Sequence, residues 1–178
     1  MHKDVEQVLF DEQMLKERVL ELGKSITADF AGKNPMLIGV LKGSFMFMAD
    51  LVRAIDLPCQ LEFLGVSSYG NKSETTGAVR ITRDLEVDIE GRDIIVVEDI
   101  LDSGLTLNYL IGYLQGRNPA SIEICTLLDK PERRRVEVAP RYIGFQIPDA
   151  FVVGYGLDFA EKYRNLPYIG ILKPEVYQ

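Results

Sequence analysis

The sequence of 178 residues predicts an α/β fold, a doubly wound and mostly parallel sheet flanked by helices. Short apolar runs rich in branched residues, "MLIGVL", "IIVV" and "IEICTLL", read as strands buried on both faces. Longer runs with apolar residues at helical spacing stand between them, set off by Gly, Pro and polar clusters. This alternation continues from residue 36 to 130 without an internal repeat or a linker, so one domain, 1–178, is predicted.

The elements follow in order. Asp11 is placed to cap a helix over residues 12–30, in which Leu15, Val19, Leu22, Ile26 and Phe30 recur at helical spacing. "GKNP" closes it, "MLIGVL" (36–41) is a buried strand, and "SFMFMADLVRAI" (44–55) a helix. After Pro58 comes a strand over 60–69, then the polar stretch "GNKSETTG" (70–77), which reads as a mobile loop, and a moderate strand over 78–85. A buried strand over 93–99 runs into a helix over 105–117, and a strand over 121–130 precedes "RRRVEV", read as basic and exposed. Residues 150–157 and 168–173 read as short late strands.

Composition removes several classes of function. A net charge of -7 repels phosphate backbones, so general nucleic-acid binding is not expected, although a local pocket still suits a small anion. Cys59 and Cys125 each sit in largely apolar segments and read as reduced core thiols, which points to a reducing cytoplasm. The lone histidine, His2, lies at a terminus expected to be frayed, so no histidine base, triad or metal site is expected. Catalysis must rest on carboxylates, lysine, arginine and backbone. The N-terminus has no apolar secretory core, and "MLIGVLKGSFMFMADLVRAI" is interrupted by Lys42, Asp50 and Arg53, so neither secretion nor a membrane span is expected.

In a doubly wound sheet, ligands sit beyond the carboxyl ends of the strands. There the sequence places "LKGS", "SSYG", "VVEDILDSGLT", "LLDK" and the turn after "FVVGYG". Glu98 and Asp99 close one strand and Asp102 opens the loop before the next helix. Asp102 or Ser103 is also placed to cap that helix, but capping accounts for one side chain and not for an acidic pair after "IIVV". "DSGLT" puts small residues at a strand-to-helix turn, where converging N–H groups, the helix dipole and the Ser103 and Thr106 hydroxyls form a phosphate cradle. Neither the Gly-x4-Gly-Lys nor the Gly-x-Gly-x-x-Gly spacing occurs there. Carboxylates accept hydrogen bonds from vicinal hydroxyls and tolerate Mg²⁺, so an acidic pair beside a phosphate cradle suits a ribose 5-phosphate.

"VVEDILDSGLT" closely resembles the phosphoribosyl pyrophosphate motif of type I phosphoribosyltransferases, in the form of the hypoxanthine-guanine branch. "LKGSFMFMADL" resembles that family's first active-site loop, "SSYGNKSETTG" its flexible lid, "LLDKPERR" its purine-reading lysine segment, and "DAFVVGYGLDFAEKYRNLPYIG" its base-binding hood. The resemblance implies the type I fold, with a core over about 30–145 and a hood from about 1–15 and 146–178. It also implies a Mg²⁺-dependent transfer of phosphoribose from phosphoribosyl pyrophosphate to hypoxanthine or guanine. Glu98 and Asp99 then hold the ribose hydroxyls and metal, and Asp102 sits beside purine N7 as general acid/base, its pKa raised by the neighbouring acids. Asp102, Ser103, Gly104, Leu105 and Thr106 grip the 5-phosphate. Leu41, Lys42 and Gly43, with a cis peptide at Leu41–Lys42, meet pyrophosphate together with Arg164, and Arg134 is expected to join Arg164.

By itself Lys42 reads as an exposed lysine, and Phe151 and Val152 as ordinary core strand. The resemblance instead makes Lys130 the donor to purine O6, Phe151 the stacking ring and Val152 a backbone contact to the base edge. Asp158 falls with these purine ligands and is the second Mg²⁺ contact, while Ser68 and Tyr69 open the lid. The same resemblance implies a cytoplasmic homodimer or homotetramer. A xanthine-preferring relative, or a nucleotide-sensing regulator on the same fold, is the alternative.

Overall fold

A computed structural model describes residues 1–68 and 79–177 of the chain. A one-turn 3-10 helix, His2–Asp4, leads into β1 (Val5–Phe10), α1 (Glu12–Asp29), β2 (Met36–Leu41), α2 (Phe45–Ala54), β3 (Gln60–Ser68) and β4 (Val79–Arg83). Then come β5 (Asp93–Leu101), α3 (Leu105–Gln115), β6 (Ser121–Asp129), a 3-10 turn at Pro131–Arg133 and β7 (Tyr142–Gln146). β8 (Val152–Val153), β9 (Ile169–Leu172) and α4 (Pro174–Tyr177) complete the order. Tyr69 and the expected loop over 70–77 lie outside the described residues.

Six strands form the main sheet in the order β4-β3-β2-β5-β6-β7. β2 runs parallel to both β3 and β5, β5 to β6 and β6 to β7; β4 alone is antiparallel, against β3. This is the mostly parallel, doubly wound sheet that the alternation predicts. The period of two explains its two cores. Leu37, Ile95 and Val97 face the layer that holds Leu15, Val19 and Phe47, whereas Met36, Ile38, Ile94 and Val96 face Leu107, Leu110 and Leu114. Each fully buried side chain of this size contributes about 1.5–3 kcal/mol, so the central strands fix where their carboxyl ends lie. The Asp11 cap holds: the Met14 N–H donates to its Oδ1 at 2.9 Å. Among the described residues, no helix is long and apolar enough to cross a membrane.

A second sheet of three antiparallel strands, β1-β9-β8, joins the first strand of the chain to the last two. β1 was not expected, because "VEQVLF" buries little beyond its ends. His2 is not frayed: its Nδ1 and the Tyr168 hydroxyl are hydrogen-bonded at 2.7 Å. β7 and α4 were not expected either. The expected strand over 150–157 is only two residues long, because Gly154, Tyr155 and Gly156 all turn left-handed with φ of 100°, 49° and 102°. β5 runs to Leu101 rather than stopping at residue 99, so the acidic pair lies within the strand.

Candidate active site

The carboxyl ends of β2 and β5, with the loop into α3, enclose a cleft of about 210 Å³ lined in part by Leu41, Gly43, Glu98, Asp99, Asp102 and Thr106. β5 continues its pairing with β6 past the acids, Glu98 beside Thr126 and Ile100 beside Leu128, and this rigid ladder sets their direction. Glu98 is buried. Burial, and then the Asp99 carboxylate, hold Glu98 well above the usual carboxylate range. Burial also raises Asp99, opposed by its hydrogen bonds and by the charge of Arg164. The electrostatic strain of the three acids therefore falls on Glu98 and Asp99. Asp102 faces a cation instead: Arg133 Nε donates to its Oδ1 at 2.7 Å.

The Leu41–Lys42 peptide is cis, as the resemblance implies. The loop it begins presses on the acids, since a Cβ on Gly43 would lie 1.7 Å from Asp99 Oδ2. Asp99 cannot give way freely, because its Oδ1 accepts the Ile100 N–H at 2.8 Å. Ser44 ends the loop with its hydroxyl donating to Val40 O at 2.6 Å.

On the other side of the cleft, Gly104 sits at φ 83° before the first turn of α3. The Leu105 N–H donates weakly to Ser103 Oγ at 3.4 Å, and the Arg135 N–H donates to Ser103 O at 2.9 Å. The segment after β6 thus braces the loop over 102–106. Arg134 belongs to this brace and is not exposed. Its Nη2 pairs with the buried Asp129, its Nη1 donates to Val138 O at 2.9 Å, and its Cδ lies 3.1 Å from where a Gly104 Cβ would stand. Arg134 was expected to join Arg164; in the structure the Asp129 carboxylate at the end of β6 holds its guanidinium.

Lys130 is buried, and its Nζ donates to Ala150 O at 2.7 Å with Asp149 3.7 Å away. Arg133 bridges Asp149 and Asp102, so one chain of polar contacts runs from the lysine to the loop acid. Arg133 and Asp149 were missed; the only signal in the sequence was the basic run. Val152 is buried in β8. Phe151 is 38% exposed and not plain core, with one face stacked on Tyr177 at 4.7 Å and Phe159 edge-on at 5.7 Å.

Arg164 donates to Gly156 O at 2.7 Å and pairs with Asp158 at 3.0 Å. Glu161 lies between the two expected pyrophosphate cations, 2.9 Å from Lys42 Nζ and 3.6 Å from Arg164. Lys42 lowers the Glu161 carboxyl pKa, first through its hydrogen bond. Sequence reasoning gave Glu161 no role. Ser68 is the last residue of β3, and Tyr69 lies outside the described residues.

A hard cation suits this site. The buried Glu98 and half-buried Asp99 lack a full counter-charge, and among the described residues no three acids, cysteines or histidines close into a metal cage. Mg²⁺ binds in such open settings, through one or two carboxylates plus water and substrate oxygens.

Residues 7–160 match the phosphoribosyl transferase domain family. The chain is 52% identical over 178 residues to the hypoxanthine-guanine phosphoribosyltransferase of Bacillus subtilis, covering 100% of this chain and 99% of that protein. It is 53% identical over 176 residues to the protein of the same name from Dictyostelium discoideum, covering 97% of this chain and 98% of that one. It also matches the bifunctional protein TilS/HprT of Listeria monocytogenes at 51% identity; there 99% of this chain spans only 27% of the relative. Among solved structures, a hypoxanthine phosphoribosyltransferase from Staphylococcus aureus superposes with a TM-score of 0.97 at 50% identity, covering 100% of this chain and 97% of that one. With this fold, this cleft and these relatives, the chain belongs to the hypoxanthine-guanine phosphoribosyltransferase family.

Proposed function

We propose that the protein transfers the 5-phosphoribosyl group of phosphoribosyl pyrophosphate to N9 of hypoxanthine or guanine, giving the nucleoside monophosphate and pyrophosphate. The observation that carries this reading is the pressing of the loop over 41–43 onto Asp99 of β5, next to the buried Glu98 and a small-residue turn at a helix N-terminus. Hydroxyls, a 5-phosphate and a pyrophosphate each meet a suitable group there.

In this reading Glu98 and Asp99 accept hydrogen bonds from the ribose hydroxyls, and the N–H groups of residues 103–106 hold the 5-phosphate. Lys42, Gly43 and Arg164 hold pyrophosphate, which requires Lys42 and Arg164 to exchange Glu161 for phosphate oxygens. As the C1–oxygen bond breaks and N9 bonds to C1, the sugar passes through an oxocarbenium-like state that the acidic floor favours. Asp102 receives the proton displaced from the base at N7. Glu98, Asp99 and Asp158 would hold Mg²⁺, which supplies charge neutralisation at the leaving pyrophosphate. Lys130 is donor-only, so it accepts a 6-oxo group and rejects a 6-amino group. Phe151 offers its open face to the purine, and Ser68 and Tyr69 begin a segment that excludes water when ligand is bound. A homodimer or homotetramer is proposed with this reading, supported by the exposed Phe45 beside the first loop, and light scattering measures it.

The test is nucleotide and pyrophosphate formation with Mg²⁺, the activated sugar and each of hypoxanthine, guanine, xanthine and adenine. Turnover of hypoxanthine or guanine with none of adenine is expected, and loss of turnover in Asp102→Asn. Adenine turnover at a similar rate, or an unaffected Asp102→Asn, refutes the assignment of Lys130 or Asp102 respectively.

A further inference from the structure

The turn Gly154–Tyr155–Gly156 stands between the two groups of residues assigned to pyrophosphate. On one side it is fixed to Arg164: the Gly156 N–H donates to Arg164 O at 3.0 Å, and Arg164 Nη1 donates back to Gly156 O at 2.7 Å. On the other side it touches the first loop, so closely that a Cβ on Gly156 would lie 2.2 Å from Gly43 O. Tyr155, at the centre, keeps a left-handed backbone with φ of 49°, unfavourable for any residue with a Cβ. Such conformations persist where surrounding contacts demand them. Here the contact is the phenol: its hydroxyl donates to Asp50 Oδ2 on α2, the helix that starts directly after the loop over 41–44. Burial and the Asp50 carboxylate push the phenol pKa up, so the group stays a proton donor.

We propose that Tyr155, through its hydroxyl bond to Asp50, is a positioning residue that keeps the Gly43 loop and Arg164 in register for pyrophosphate. This rests on the assignment of residues 41–43 and Arg164 made above. The rest of the hood does not depend on this bond. Its three strands pair with each other, the Tyr155 N–H donates to Leu166 O at 2.9 Å, and the Tyr163 hydroxyl donates to Asp4 at 3.1 Å. Removing the phenol oxygen therefore loosens the pyrophosphate side while the base wall of Phe151 and Val152 stays put.

The experiment is the reverse reaction, nucleotide plus pyrophosphate, on Tyr155→Phe, Asp50→Ala and Asp50→Asn, with Arg164→Ala as the control for the site itself. For Tyr155→Phe and Asp50→Ala, the KM for pyrophosphate should rise about tenfold, while that for the nucleotide stays within about twofold. The double variant should be no worse than either single variant, as for two partners of one contact. Asp50→Asn keeps an acceptor for the phenol and should stay near the parent. A pyrophosphate KM unchanged in Tyr155→Phe overturns the proposal, and so does an equal rise for nucleotide, which means general loosening of the hood. If Arg164→Ala leaves pyrophosphate binding intact, the site assignment itself fails and the proposal falls with it. If Tyr155→Phe does not fold, the contrast between Asp50→Ala and Asp50→Asn decides.

Discussion

Gly43→Ala adds one methyl group at the point where the first loop meets the acidic pair. Gly43 is not at a positive φ, so alanine meets no backbone penalty and its effect is purely steric. The added carbon would lie 1.7 Å from Asp99 Oδ2 and 2.5 Å from its Cγ. The loop and the carboxylate must part by at least 1.3 Å to reach the 3.0 Å below which such contacts essentially never fall. Asp99 can turn only by giving up the Ile100 N–H, and the loop can withdraw only by pulling on Ser44 and its bond to Val40. Overpacking of this kind costs about 1–3 kcal/mol of stability. A displacement on the order of 1 Å at positioned groups costs about 100-fold in rate. Steady-state nucleotide formation should therefore show kcat/KM for the activated sugar reduced about 100-fold, with a folded circular-dichroism spectrum and a slightly lower melting temperature. In an Asp99→Ala background the same substitution should add almost no stability cost, because the clashing atoms are gone. Gly43→Ala within about threefold of the parent would refute the close approach of loop and acid.

Three further outcomes are expected. Arg134→Met leaves the buried Asp129 without its cation, which should cost about 3 kcal/mol, or roughly 6–12 °C in melting temperature; an unchanged Tm contradicts the role of the pair. Ser121→Ala removes the hydroxyl that, with Lys33, holds the Asp93 carboxyl below its ordinary value, and should cost about 1 kcal/mol at neutral pH. Because that carboxyl is depressed in the folded state, its contribution is full above 3.8 and is lost as the pH falls through the lowered value. The gap between variant and parent in denaturant melts should close in acid, and a gap that widens there is the wrong sign. Glu161→Gln frees Lys42 and Arg164 from a competing carboxylate, so pyrophosphate should inhibit the forward reaction roughly twofold more strongly, the small scale of an exposed ion pair; weaker inhibition contradicts the exchange.

The parts that the sequence made legible are those whose pattern is local. "MLIGVL" and "IIVV" read as strands because every residue in them is apolar, and Asp11 read as a cap because capping depends on the next three residues. "VEQVLF" did not, since a strand on a small sheet buries too little to alternate clearly. The acids of β5 were found by their position at a strand end. That Asp102 is matched with Arg133 depends on a segment 31 residues away. Arg134 illustrates the same limit: in a run of three arginines, charge alone does not distinguish the one that turns inward to Asp129. Tyr155 lay unremarked within the strand expected over 150–157, because nothing near it in sequence names Asp50 as its partner, 105 positions earlier.

The pairing of Val5–Phe10 with Ile169–Leu172 has a consequence for how the molecule is made. Val5–Phe10 leaves the ribosome well before Ile169–Leu172, the strand that becomes its neighbour. In the meantime the main sheet can assemble, since all six of its strands precede residue 147. Contacts this distant in sequence are slow to close. A growing chain thus carries Glu98, Asp99 and the loop over 102–106 for some time without the sheet formed by β1, β8 and β9. On the proposed reading, the site is incomplete until Ile169–Leu172 has emerged to join β1 and β8.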